Sequence, residues 1–445
     1  MQENPPLESR TVSEPVYFVR SGHSSFRWVI CALLFFATTV NYIDRQILSL
    51  LKPILDVELG WTNQQFGLIN SAFQGAYAVG LLGAGWFIDR FGTKIGYAVS
   101  ISLWSLAAFS HALVGSVSGF RWARIFLGCS EAGNFPAAVK TIALWFPRKE
   151  RAFATSLFNS GANVGALIAP AVIPVIAATW GWHSAFIAAG IAGFLWLGAW
   201  WLIYDLPEKH PRVSSAELKH ITRDCPETND SAQLPWISLL RYRQTWAFIV
   251  AKFLTDPVWW FFLIWLPDYF HKTKDLDIKK IGLPVVAIYA IVSVLAIAGG
   301  WLGNFLVSHG WSNNATRKMC MLLFALCVLP IMFVKNADLW SAVVLIGIAG
   351  GAHQAWSANL FTTVSDAFPK RAVASVVGIG SMAGSFGGIL FPIYSGHLLD
   401  HFIALGDINT GYGILFTICA FAYVLAYTLN HLLSPRFESI LNIEQ

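Results

Sequence analysis

Four ionisable residues lie where charge is expensive. Asp44 and Arg45 close the run Asn41-Tyr42-Ile43-Asp44-Arg45 inside an apolar stretch from about residue 28 to 51, and Arg124 and Glu131 lie inside another from about 118 to 145. A charge at the bilayer centre costs a few kcal/mol even on insertion scales, so such groups must pair or titrate. Arg124 and Glu131 are seven residues apart, so they share a helix face with about 10 Å between them along the axis. If the first stretch runs outward and the second inward, Asp44 and Arg124 are each roughly 10 Å below the outer boundary, with Glu131 near the midplane. Two acids and two bases then meet in one cavity. The alternatives are side chains that snorkel to the outer surface and an ion-pair network with only a structural role.

Other polar residues at depth are candidates for recognising hydroxyl groups or for holding helices together. They are Tyr77; Asn159 and Asn163 on one helix face; His353, Gln354 and Asn359; and Ser381 with Ser385. Trp259, Trp260 and Trp356 offer ring faces for a sugar-like ligand or for packing. Lys252 and Asp256, four apart and followed by Pro257, read as a self-satisfied structural pair beside a kink. Near residue 90 the sequence reads Gly85-Trp86-Phe87-Ile88-Asp89-Arg90-Phe91-Gly92-Thr93-Lys94. Its glycines permit a tight turn and close helix approach. Its Asp89 is placed to pair with cations or helix ends on the inner face and so to latch an outward-open form.

These residues need a membrane-spanning scaffold, and the composition supplies one. Of 445 residues 56% are hydrophobic and 12% charged, with a mean hydropathy of +0.55; soluble domains carry about a quarter charged residues. Apolar runs near 28–51, 66–88, 94–113, 118–145, 153–178 and 183–204 precede a polar stretch, and runs near 245–270, 281–308, 316–334, 339–367, 372–398 and 411–433 follow it. Each is long enough to span a bilayer and must be helical there. The expected architecture is therefore an all-α membrane protein of twelve helices in two six-helix bundles, 27–204 and 245–434. A linker, 205–244, joins them, with a disordered tail at 1–26 and a further tail at 435–445.

Loop charges orient the chain. Arg90, Lys94, Arg148, Lys149, Arg151, Arg241, Arg243, Arg317, Lys318, Lys370 and Arg371, with the linker's Lys209, Arg212, Lys219 and Arg223, collect on one side, so both termini are expected in the cytoplasm. Lys52, Lys335 and the group Lys272, Lys274, Lys279 and Lys280, diluted by Asp268, Asp275 and Asp277, fall on the other side and argue against the rule. Within the linker Ser214-Ser215-Ala216-Glu217 has the form of a capping box opening a short helix. The six cysteines show no disulfide or metal spacing and read as free thiols. No nucleophile–base pair, metal set or phosphate loop is present to suggest an enzyme, and the net charge of +5 does not point to nucleic acid.

The segment Gly85 to Lys94, placed between the second and third spans, resembles the signature of the major facilitator superfamily. The chain after its first tail further resembles the anion:cation symporter family, which holds bacterial hexuronate and aldonate transporters. The shared points include Asn41 to Arg45, Arg124 to Glu131 with Ala132, Trp145-Phe146-Pro147 before Glu150-Arg151, Phe158 to Gly165 and Leu206-Pro207 before His210-Pro211. Asp256-Pro257-Val258-Trp259-Trp260 and Ala352-His353-Gln354-Ala355 look most like the hexuronate branch, and Ala162 stands where the aldonate branch has Gln. The resemblance implies a proton-coupled symporter of a sugar acid in the bacterial inner membrane, without a cofactor, expected to be monomeric. Asp44 and Glu131 would couple protons. Tyr42, Arg45, Tyr77, Arg124, Asn159, His353, Gln354, Trp356, Asn359 and Ser381 would contact substrate, and Gly85, Asp89, Arg90, Gly92 and Lys94 would form the gating loop. Another organic anion, such as an aldonate or aromatic carboxylate, is the alternative, and glucuronate and galacturonate are not separated.

Overall fold

With no water in the bilayer to satisfy backbone groups, apolar runs of this length must fold as helices, and they do. The computed structural model describes residues 25–223, 236–368 and 370–436. Among them the helices are α1 Phe26–Leu59, α2 Asn63–Leu113, α3 Val117–Glu131, α4 Asn134–Trp145, α5 Arg148–Trp180, α6 Trp182–Ile203, α7 Ser215–Thr222, α8 Trp236–Leu239, α9 Arg243–Lys274, α10 Ile278–Ser308, α11 Asn313–Val328, α12 Leu339–Ala367, α13 Lys370–Ala404 and α14 Ile408–Leu433. Ten segments are by themselves long and apolar enough to cross a membrane. Two further long helical stretches are the part of α2 before Gly92, whose φ of +80° breaks the helix, and α3 joined to α4 across Ala132–Gly133. Large apolar side chains such as Leu195, Leu202 and Ile297 are more than two-thirds exposed, the surface that lipid covers. The tails expected at 1–26 and 435–445 lie outside the described residues, apart from 25–26 and 435–436.

Two groups of helices pack separately and then against each other. In the first, α1 lies on α5 and α6, and α2 on α3, α4 and α6; in the second, α9 lies on α13 and α14, and α10 on α12. Across them α2 runs along α13, α5 along α10 and α1 along α9. Glycines set this seam. A Cβ at Gly67 would stand 2.2 Å from the Pro392 carbonyl oxygen, and one at Gly396 2.3 Å from that of Asn63. Both backbones therefore touch only because side chains are missing.

α1 continues to Leu59, well past the expected end near 51. Its last turns carry Lys52 and Asp56, and partners in α9 stabilise these charges: Lys52 Nζ is 2.8 Å from Asp268 Oδ1 and 2.7 Å from Asp56 Oδ2, and Lys272 Nζ is 3.2 Å from Asp56. Asp400 of α13 accepts from the Asn63 and Gln64 amides at 2.9 and 2.8 Å. These contacts lock the two groups at the end of the molecule opposite the linker, here called the distal face. Near the linker face the ion pairs Lys94–Asp205, Lys140–Asp89 and Arg317–Asp366 each stay within one group.

The described part of the linker straps the first group. Ser214 accepts from the Glu217 amide at 3.1 Å, as its sequence suggests, while the Glu217 carboxylate reaches α1 and caps its free Phe26 and Arg27 amides at 3.1 Å each. Arg27 and His220 both bind Glu150, at 2.9 and 2.8 Å. Burial works to raise the Glu150 carboxyl, but hydrogen bonds from His220 and Arg27 outweigh it and hold it below its ordinary 4.5. A lowered folded value stabilises above about pH 4.5 and is lost as pH falls through that lower value. Wild type should therefore melt above a Glu150→Gln variant at pH 7, with the gap closing as pH falls below 4.5; a constant gap in a thermal-shift series contradicts the assignment.

Candidate functional site

Pro136 has no N–H to offer the Ala132 carbonyl, so the fourth pass breaks there and Glu131 becomes the last residue of α3. Its carboxylate is fully buried, and Oε2 accepts from Arg45 Nε at 2.7 Å. The Arg45 guanidinium is caged by the rings of Tyr77 at 4.6 Å, Tyr42 at 5.2 Å, Phe73 at 5.4 Å and, from the second group, Trp260 at 5.8 Å. Arg124, 1% exposed, donates to the Arg45 backbone carbonyl at 3.4 Å, so it stands level with the Asp44–Arg45 turn as the sequence suggests. Asp44 departs from expectation. Both carboxylate oxygens are buried and neither finds a hydrogen-bond donor among the described residues, so no Asp44–Arg124 pair forms.

Two cavities adjoin this cluster. A small one of about 20 Å³ is lined by Arg45, Gln46, Asn70, Phe73, Gln74, Arg124, Trp260, Leu263 and Ile264, enough for about one water. A larger one of about 200 Å³ is lined by Tyr42, Asn159, Ala162 and Asn163 from the first group and Lys252, Asp256, Trp259, Trp260, His353, Gln354 and Ser357 from the second. Tyr42 and Trp260 are the wall between the larger cavity and Arg45. His353 stacks on Trp259, with centroids 5.2 Å apart and planes 5° apart, and shares a hydrogen bond with the Tyr423 hydroxyl.

The expected substrate contacts divide. Tyr42, Asn159, His353 and Gln354 line the larger cavity; Tyr77 acts from behind, under Arg45. Trp356, Asn359 and Ser381 are not among the lining residues. Trp356 is fully buried against Tyr423. Asn359 is buried and binds the Ala355 carbonyl at 2.9 Å and Arg317 at 3.4 Å. Ser381 offers its carbonyl to Ser385 at 3.0 Å. At about 100° per residue, Asn359 is some 240° round α12 from His353, which turns it off the cavity. The pair Lys252–Asp256, 2.7 Å apart, reads in sequence as structural and is instead part of the cavity wall.

In the loop motif, Gly92 takes the positive φ, whereas a Cβ at Gly85 would meet open space. Asp89 pairs with Lys140 of α4 at 2.8 Å, and Lys140 also binds the Ile88 carbonyl at 3.1 Å. Lys94 binds Asp205 at 3.1 Å, and Arg90 is exposed. Asp89 thus holds two helices of one group together here and does not cross to the other. The described cysteines are unpaired; Cys225 lies outside the described residues.

The model of the family described as Major Facilitator Superfamily matches residues 34–392. The chain belongs to this superfamily. It is a multi-pass membrane transport protein with the major facilitator fold, not an enzyme. It is 33% identical to the hexuronate transporter of Escherichia coli (strain K12) over 399 residues, which cover 88% of this chain and 90% of that protein. It is 30% identical to the probable galactarate/D-glucarate transporter GudP of Bacillus subtilis (strain 168), over 91% and 92% of the two chains. Among solved structures, a bacterial homologue of the human lysosomal transporter Spinster, in an inward-facing and unoccupied conformation, superposes with a TM-score of 0.76, 16% identity and coverage of 94% and 98%. The D-xylose-proton symporter does so with a TM-score of 0.73, 16% identity and coverage of 93% and 99%.

Proposed function

We propose that this transporter imports a sugar acid, with a hexuronate as its substrate, together with protons across a bacterial inner membrane by alternating access. The observation that carries the reading is the Arg45–Glu131 ion pair with the unpartnered Asp44 carboxylate beside it, one aromatic layer away from a polar cavity of about 200 Å³. An anion needs a cation to bind, and here the nearest guanidinium is held by an acid. Protonating Glu131 releases Arg45, whose planar fork then matches the substrate carboxylate. Asp44, which no donor among the described residues reaches, is the second proton site. Proton and anion therefore favour each other's binding, and the linkage is reciprocal.

Asn159, Asn163, Gln354 and Ser357 suit hydroxyl groups, and Trp259 and Trp260 suit a ring face. The hexuronate transporter is among the relatives with highest identity quoted above. With the linker face cytoplasmic, the distal lock makes this conformation inward-facing, and both termini are cytoplasmic. Asp89 with Lys140 then belongs to the gating loop on the inner face.

Counterflow in proteoliposomes against glucuronate, galacturonate, an aldonate, an aromatic carboxylate and a neutral hexose tests the substrate class. A hexuronate should exchange best, and equal exchange of the neutral hexose would end the reading. Arg45→Lys should lower kcat/KM by roughly 100-fold, since the loss of a charge-assisted bidentate contact is worth about 2–3 kcal/mol, while the protein still elutes as a monodisperse species. Near-normal uptake by that variant would remove Arg45 from the binding site.

A further inference from the structure

The second helix group contributes an ion pair of its own to the cavity, and no role follows for it from the proton mechanism. α9 acts as a ruler along the transport path. Lys252 and Asp256 come first and Trp260 one turn on. Leu263 and Ile264, which wall the small cavity with Arg45 and Arg124, come next, and Asp268 of the distal lock last. At 1.5 Å per residue, Asp256 and Ile264 differ by about 12 Å in height. The two cavities, separated by Tyr42 and Trp260, therefore run in sequence along α9, the small one lined by arginines and the larger one by a carboxylate.

That carboxylate is deliberately accommodated. A Cβ at Gly384 of α13 would lie 2.1 Å from Asp256 Oδ2, so only glycine leaves room for it. Lys252 holds it at 2.7 Å while its own ammonium sits 4.7 Å over the Phe361 ring. The lysine thus spends one N–H on Asp256 and packs its ammonium on the ring, while Asp256 keeps acceptor lone pairs towards the cavity. An ionised carboxylate is acceptor-only, with about four lone-pair sites. It matches paired hydroxyl groups, and it offers a second ionised carboxylate no hydrogen-bond donor.

The geometry points to Asp256 as the residue that reads the hydroxyl-bearing end of the substrate and restricts transport to sugar acids with one carboxylate, with Lys252 as its positioning residue. This rests on the sugar-acid reading above. The substrate lies along α9 with its carboxylate towards Arg45 and its far hydroxyls on Asp256. A six-carbon sugar acid carboxylated at both ends would set its second carboxylate against Asp256.

The test is counterflow of radiolabelled galacturonate by the full-length protein in proteoliposomes, with unlabelled galacturonate or galactarate as competitor. In wild type, galactarate should compete at least tenfold more weakly than galacturonate. Asp256→Asn should raise the KM for galacturonate fivefold or more with little change in maximal exchange, and should shrink the galacturonate-to-galactarate ratio. Gly384→Ala, which displaces the carboxylate without changing charge, should move both readings the same way. Equal competition by the two acids in wild type overturns the inference and needs no variant to fold. So does an Asp256→Asn protein with wild-type KM and selectivity. A wild type that exchanges no sugar acid at all would instead overturn the functional reading, and this inference with it.

Discussion

Asp44→Asn and Glu131→Gln should each reduce pH-gradient-driven accumulation of the sugar acid to an inside-to-outside ratio of about 1, while counterflow exchange persists. One pH unit is worth about 1.4 kcal/mol per proton, so a one-proton symporter under a gradient of about two units concentrates its anion roughly 100-fold. The neutral side chains fix each site in its protonated form. In Glu131→Gln, Arg45, paired at 2.7 Å with Glu131 in the wild-type protein, is then free for substrate whatever the pH; in Asp44→Asn the second proton site no longer titrates, so the coupled cycle is incomplete. The distinction between accumulation and exchange separates uncoupling from misfolding, since a misfolded protein loses both. Full accumulation by both variants would mean that the protons travel elsewhere, with His353, which lines the cavity, the next candidate.

Breaking the distal lock should have the largest conformational effect. Lys52 and Lys272 face Asp56 and Asp268 in a balanced set of two cations and two anions, and the Tyr412 hydroxyl donates to Asp268 Oδ2. Asp268→Asn leaves one buried cation uncompensated, a change that typically costs about 3–5 kcal/mol. The cost falls on the locked conformation, because separating the helix groups exposes these residues to water. A 3 kcal/mol penalty is roughly 100-fold in the ratio of distal-open to distal-closed molecules. A cysteine in place of Asn70, which lines the small cavity, should react far faster with an impermeant maleimide applied to the distal face. Adding Lys52→Met rebalances the charge and should recover much of the protection. An unchanged labelling rate in Asp268→Asn would show that the lock is not what holds this face shut.

How much of this was legible in sequence follows from what charge does in lipid. Asp44, Arg45, Arg124 and Glu131 stand out because no apolar helix carries such groups without a reason, and their levels follow from helical rise alone. The break that ends α3 at Glu131 was also there to read, in Pro136. Three features escaped. Lys52 looks like an outside loop charge that offends the positive-inside rule and Asp268 like one that dilutes such charges, and the partnership that lets α1 carry Lys52 inside spans 216 residues. Lys252 and Asp256 look self-sufficient at i, i+4 spacing, and only the approach of α1, α5 and α12 makes them a cavity wall. Trp356, Asn359 and Ser381 are polar or aromatic at the right depth, but the rotational phase of α12 and α13 is set by packing on neighbouring helices, which one sequence does not fix.

The coupling of proton to anion is the central claim, and proton movement itself tests it most directly. Proteoliposomes loaded with a pH-sensitive dye at equal pH on both sides are given glucuronate or galacturonate from outside. Acidification of the lumen should follow substrate entry, depend on substrate concentration, and be absent from Asp44→Asn and Glu131→Gln. Substrate entry at a normal rate with no change in lumenal pH would contradict the coupling.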